Sequence, residues 1–266
     1  MHNIFRLSLC TLGVASLLCL GGCGKDVSEF TPFEIYQRAY AGLSAEQAVA
    51  YDVEAFLDVY GSALANSLGN VMLDGISLEI NGDIRQFKSA DATYDMAADI
   101  DMQVLFTDIG ADAQLYLADG YLYCSVPEAD IACKMALPDE GGWESRTLIV
   151  DPAILTEDML ASSSFDSDGD TVKLVLAADK INEQITLLAP DSAGTVVVDE
   201  ASIAAEVDEN GNMTRYKADV DMQIGPADEA ADIRLQFTAD ITTGDDIVVA
   251  LPDDLAAYVE MPLQDY

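Results

Sequence analysis

Long runs of strict period-two hydropathy restrict the fold of this chain more than any other feature. Val49, Tyr51, Val53, Ala55, Leu57 and Val59 alternate with Asp52, Glu54 and Asp58. Ile76, Leu78, Ile80 and Ile84 alternate with Ser77, Glu79, Asn81 and Asp83, and Met96, Ala98, Ile100, Met102 and Val104 alternate with Asp95, Asp99, Asp101 and Gln103. Successive strand side chains point to opposite faces, so each run predicts a long strand with one dry and one wet face. Strands with a solvated face belong to antiparallel sheets, because parallel sheets are covered on both sides.

Turn chemistry divides the rest into shorter strands. Asp119-Gly120 separates Gln114–Leu117 from Tyr121–Val126, Pro127-Glu128-Ala129-Asp130 precedes Ile131–Leu137, and Asn210-Gly211 joins Ser202–Val207 to Thr214–Ile224. Further strands are expected at Thr171–Ala177, through Ile233, Leu235, Phe237 and Ile241, and near Ile247–Ala250. Thr31-Pro32-Phe33-Glu34 forms a capping box with proline at the first helical position, opening a helix whose Phe33, Tyr36, Tyr40 and Leu43 make one apolar stripe. Asp151-Pro152 predicts a second helix through about Ser162, and Asp179 caps a third with Ile181, Ile185 and Leu188 on one side. One large antiparallel sheet with helices against one face, an α+β architecture, is the economical arrangement. Ala98–Val104 recurs as Ala218–Ile224 and Met135–Glu140 as Val249–Asp254. Two related halves, about 45–140 and 170–255, and convergent alternation both account for this.

The N-terminus reads as an export signal: a weakly basic start to Arg6, an apolar run from Leu7 to Leu20, then Leu20-Gly21-Gly22-Cys23. The run is shorter than the roughly 20 residues a membrane span needs. Residues 1–22 are expected to be a signal peptide and 23–30 a lipidated cysteine with a short tether. Residues 31–266 are expected to be a single domain.

The chain carries 12 basic against 48 acidic residues, a net charge of -36. Phosphate backbones need a basic footprint, so nucleic acid is excluded as a partner. Half the residues are apolar, enough for a core. The acids form no block, so they read as a solvated surface. The one histidine, His2, lies inside the signal, which excludes histidine-based triads and histidine-ligated zinc in the exported chain. No spacing marks a carboxylate pair for hydrolysis, so the expectation is a non-enzyme with no cofactor and no metal site. Asp166-Ser167-Asp168-Gly169-Asp170 and Asp208-Glu209-Asn210-Gly211-Asn212 fail the EF-hand spacing of glycine at six and glutamate at twelve, and read as turns. Cys124 and Cys133 flank the Pro127–Asp130 turn, where they either bridge the hairpin or remain reduced, buried apolar side chains.

Leu20-Gly21-Gly22-Cys23 resembles the lipobox of bacterial lipoproteins, in which the cysteine receives a diacylglyceryl group. The leading helix, the long strands, the hairpin Tyr116-Leu117-Ala118-Asp119-Gly120-Tyr121-Leu122-Tyr123 and the ending Leu251-Pro252-Asp253-Asp254-Leu255 together resemble the LolA-like and LppX-like lipoprotein-carrier group. The resemblance implies a half-open barrel, a curved antiparallel sheet with helices on its concave face, anchored through Cys23 at the extracytoplasmic side of a cell membrane and holding acyl chains. Ile100, Met102, Val220 and Met222, inward in both repeats, are the expected lining, and Trp143, in the Gly141-Gly142-Trp143 linker, either guards an opening or packs under a loop. Methionines at 72, 96, 102, 135, 159, 213, 222 and 261 supply pliable apolar surface suited to mixed acyl chains. The contrasting expectation is an interaction lipoprotein whose interior is filled and whose acidic face meets wall components or cations.

Overall fold

The computed structural model describes residues 30–61, 75–88, 94–105, 107, 109–137, 148–166, 169–188, 195–226 and 230–261. Thr31–Tyr266 forms one compact unit. Helix α1 (Pro32–Ala45) begins as its cap predicts: the Glu34 amide donates to Thr31 Oγ1 at 3.3 Å and the Thr31 amide donates to Glu34 Oε2 at 2.8 Å.

Twelve strands come after it, β1 (Ala48–Tyr60), β2 (Gly75–Lys88), β3 (Tyr94–Val104), β4 (Gly110–Ala118), β5 (Tyr121–Val126), β6 (Ile131–Ala136), β7 (Leu160–Phe165), β8 (Thr171–Leu176), β9 (Val196–Val207), β10 (Met213–Ile224), β11 (Ala231–Thr243) and β12 (Val259–Glu260). They make one sheet in the order β12-β6-β5-β4-β3-β2-β1-β11-β10-β9-β8-β7. Every pairing is antiparallel except β12 on β6. The chain is thus an α+β protein built on a large, open, curved sheet, two meanders meeting where β1 pairs with β11. Asp119 and Gly120, at φ of 51° and 77°, make the tight turn between β4 and β5.

Register carries the alternation across the sheet. Val172, Ala205, Tyr216, Ala239, Val53, Gly82, Ile100 and Ala113 are successive cross-strand partners from β8 to β4, so all share a face. α1 fills the concavity of that face with Phe33, Tyr36, Tyr40 and Leu43, against Tyr51, Val53, Ile84, Val172, Leu174, Ile203, Tyr216 and Ile241. A smaller cluster of Tyr116, Ala118, Tyr123 and Tyr258 lies on the opposite face, where the C-terminal segment folds over β4 and β5.

Two segments differ from the sequence expectation. Asp151 does cap, accepting the Ala153 amide at 2.7 Å, but the chain then makes two single 3₁₀ turns, Pro152–Ile154 and Glu157–Met159, and enters β7. Ile149, Pro152, Leu155 and Met159 are buried at helix-like spacing, yet Ser162-Ser163-Ser164 are weak helix formers and β8 offers them a ladder. Ile247–Ala250 pairs with nothing as a strand among the described residues, and the last strand is β12. The remaining helix, α2 (Ala178–Leu188), starts one residue before Asp179 and sits beside β9, where β8 has ended. Asn182 there replaces a strand neighbour, its Nδ2 donating to the Val198 carbonyl and its Oδ1 accepting the Val198 amide, both at 2.8 Å.

Candidate functional site

The concave face has two zones. Around α1 it is sealed: Tyr36, Ala39, Leu174, Ala205 and Ala239 have no exposed surface. Toward the far end of β1 the same face continues apolar, but its side chains are only half-buried. Val220, Leu235, Leu57, Leu78 and Val104 form one row of direct partners across β10, β11, β1, β2 and β3. Met222, Ile233, Val59 and Ile76 form the next row; Phe237, Ala55, Ile80 and Met102 form the one nearer α1, where Ala55 is buried and Phe237 packs against the sealed core while Ile80 and Met102 stay half-buried.

All four expected lining residues lie on this face, in two places. Met102, Val220 and Met222 stand in the half-exposed rows, whereas Ile100, level with Val53 and Tyr216, packs against the sealed core. Four strand steps separate β3 from β10, about 19 Å across the sheet. The seven-residue repeat falls on one face of the sheet but in two different strips of it. Leu57, Leu78 and Leu235 complete the band; their signal was the same alternation, read along single strands and not across the register. Cys23, Met72 and Trp143 lie outside the described residues.

The opposite face is polar and strongly acidic. Asp240, Asp52, Asp83 and Asp99 are successive partners on β11, β1, β2 and β3. The row is tempered by cations at two points, with Arg215 bonded to Asp240 and Arg85 to Asp83 at 2.9 Å. The Arg215 guanidinium holds the Asp240 carboxyl below its usual range. Asp101 and Asp112 oppose each other in the next row, and their shared hydrogen bond, ahead of burial and mutual repulsion, raises the Asp101 carboxyl. A hollow of about 510 Å³ is lined on this side by Asp52, Asp83, Asp99, Asp101, Asp112 and Glu128. A second, of about 280 Å³, joins Met222 and Ile233 to Tyr60, Asp221, Asp232 and Arg234 at the end of the sheet.

The two acidic loops are Asx turns. Asp208 Oδ1 accepts the amides of Asn210 and Asn212 at 2.9 and 2.8 Å, and the Asn212 amide foremost holds that carboxyl below its usual range. Asp166 Oδ1 accepts the Gly169 amide at 2.8 Å in the same way. Cys124 and Cys133 are direct partners between β5 and β6 and carry free thiols. Among the described residues no helix is long and apolar enough to cross a membrane.

Fold and face together define an open antiparallel half-barrel with an apolar concavity that one helix fills in part. No protein-family model matches the chain, and no curated protein matches it. Among solved structures, the crystal structure of LprF from Mycobacterium bovis aligns over 86% of this chain and 99% of that one, at 12% identity and a TM-score of 0.39.

Proposed function

We propose that this protein is a lipid-anchored extracytoplasmic binder of an apolar ligand, a lipid or acyl chain, held on the open part of its concave face. One observation carries the reading: the half-exposed band Val220, Leu235, Leu57, Leu78 and Val104, continuous with the rows of Met222 and Met102. Covering such a band stabilises a ligand by about 25 cal/mol per Å² of apolar surface removed from water, and needs no covalent chemistry. Methionine at two of its corners adapts to chains of differing shape. Cys23, in its lipobox-like setting, is the proposed attachment point, since a diacylglyceryl group supplies the two chains that stable anchoring requires.

The test is native mass spectrometry of residues 24–266 purified from a bacterial host, with solvent extraction of any adduct. A stoichiometric lipid adduct is expected. A bare mass that stays bare after incubation with membrane lipids overturns the carrier reading. It favours the second one, in which the acidic hollow between β1 and β4 meets cationic wall components.

A further inference from the structure

Cys124 and Cys133 are the register partners at the middle of the β5–β6 hairpin, so their thiols stand on the same face of the sheet, near enough to influence one another. Two neighbouring backbone bonds fix the kind of pair they form. The Leu137 amide donates to the Gly120 carbonyl at 2.8 Å, while the Lys134 carbonyl turns away from β5 to accept the Met261 amide at 2.8 Å. Alternation along an antiparallel ladder then makes 124 and 133 a hydrogen-bonded pair, with Cα atoms about 5.5 Å apart. That spacing is one a disulfide spans. The Cβ atoms are the mismatch: directly opposed antiparallel residues hold them about 4.5–5.5 Å apart, the wider end at a hydrogen-bonded pair, against the roughly 3.5–4.5 Å of a relaxed disulfide, so drawing the sulfurs together works against the ladder bonds, and a bridge under strain is the more easily reduced. Both residues are half-exposed, within reach of a small thiol or a thiol on another protein.

We propose that Cys124 and Cys133 form a reversible dithiol–disulfide couple, oxidised by exchange with an external disulfide. The thiolate of one cysteine attacks a sulfur of the oxidant, forming a mixed disulfide and releasing the oxidant's first thiol. The second cysteine gives its proton to solvent, attacks the mixed disulfide and releases the second thiol. The protein loses two electrons and two protons, and the oxidant leaves as two thiols. The bond so formed ties β5 to the strand on which β12 lies, since Val259 is the partner of Cys133 and Tyr258 stacks edge-on against Tyr123 at 5.5 Å on the other face. Oxidation therefore fastens the strands that carry the C-terminal edge of the sheet.

Residues 24–266 contain the whole compact unit and just these two cysteines, which makes thiol counting unambiguous. The protein is equilibrated in glutathione buffers running from reduced to oxidised, quenched with acid, alkylated and weighed intact. The expected result is a passage from two labels to none, reversed in reduced glutathione without denaturant. Cys124→Ser and Cys133→Ser, each folded by circular dichroism, are expected to stop at one label or one glutathione adduct. Two labels persisting in oxidised glutathione, or adducts retained on both cysteines, overturn the couple. A bridge that reduced glutathione opens only after unfolding also overturns it, because that is a fixed staple.

Discussion

Tyr36 of α1 donates its hydroxyl to the carbonyl of Val150 at 2.6 Å, joining residues 114 positions apart, and the hydroxyl of Tyr216 on β10 faces the same pair. The contact fastens the helix that fills the concavity to the segment that leads into β7. Tyr36→Phe keeps the ring and removes the hydrogen bond to the Val150 carbonyl, in a site where Tyr36 itself has no exposed surface. The expected loss is about 1–3 kcal/mol in chemical denaturation, with an unchanged denaturant slope. An unchanged midpoint would show that the hydroxyl contributes nothing net to stability.

The same tyrosines set a limit on alkaline stability. Burial, foremost, pushes the Tyr216 hydroxyl up to about 12 and raises Tyr36 further. An unfolded tyrosine loses its proton near pH 10. The folded state keeps both protons, so their contribution is whole below pH 10 and drains away as the pH climbs from 10 toward 12. Melting temperatures measured from pH 8 to 12 are expected to fall over that interval, and less steeply in Tyr36→Phe.

Asp101 and Asp112 give a dependence of the same sign in the acid range. The fold holds the Asp101 proton more firmly than the unfolded chain does, so its stabilising effect is present below the ordinary carboxyl range and is lost as the pH rises through the raised value. At neutral pH the two partners repel, as like charges directly opposed on a sheet do. Asp112→Asn supplies a donor to Asp101 and is expected to raise the melting temperature at pH 7 and to lose that advantage near pH 3. A variant less stable at pH 7 would show that the pair is not repulsive.

The strands were legible because alternation against aspartate is a local signal that the register then preserves: Val53, Gly82 and Ile100 meet across β1, β2 and β3 as their patterns require. The α1 start was legible for the same reason, since Thr31 and Glu34 satisfy each other within one turn. The features that were not legible depend on distant partners. β7 exists because β8 pairs with Ser162–Phe165. Asn182 carries no local mark of its bond to Val198, sixteen residues on. The split of the expected lining, with Ile100 in the core and Met102 two residues further along the open band, is set by how far α1 reaches along the sheet, which no strand records in its own sequence.

That split also supplies the sharpest test of the ligand site. Met102 and Gln103 are adjacent on β3, but the first points into the open concave band with Ile80 and the second to the acidic face with Glu79. Met102→Glu would set a carboxylate against an apolar chain, where an ionised group without a partner is costly. It is half-exposed and outside the sealed core, so the fold should tolerate the change. Gln103→Glu adds the same charge at the neighbouring position, on the face that water already covers. In lipid-binding titrations, Met102→Glu is expected to weaken association at least about tenfold, or 1.4 kcal/mol, while Gln103→Glu binds as the parent does. Equal losses in the two variants would mean that overall charge governs uptake and that the concave band is not where the ligand sits.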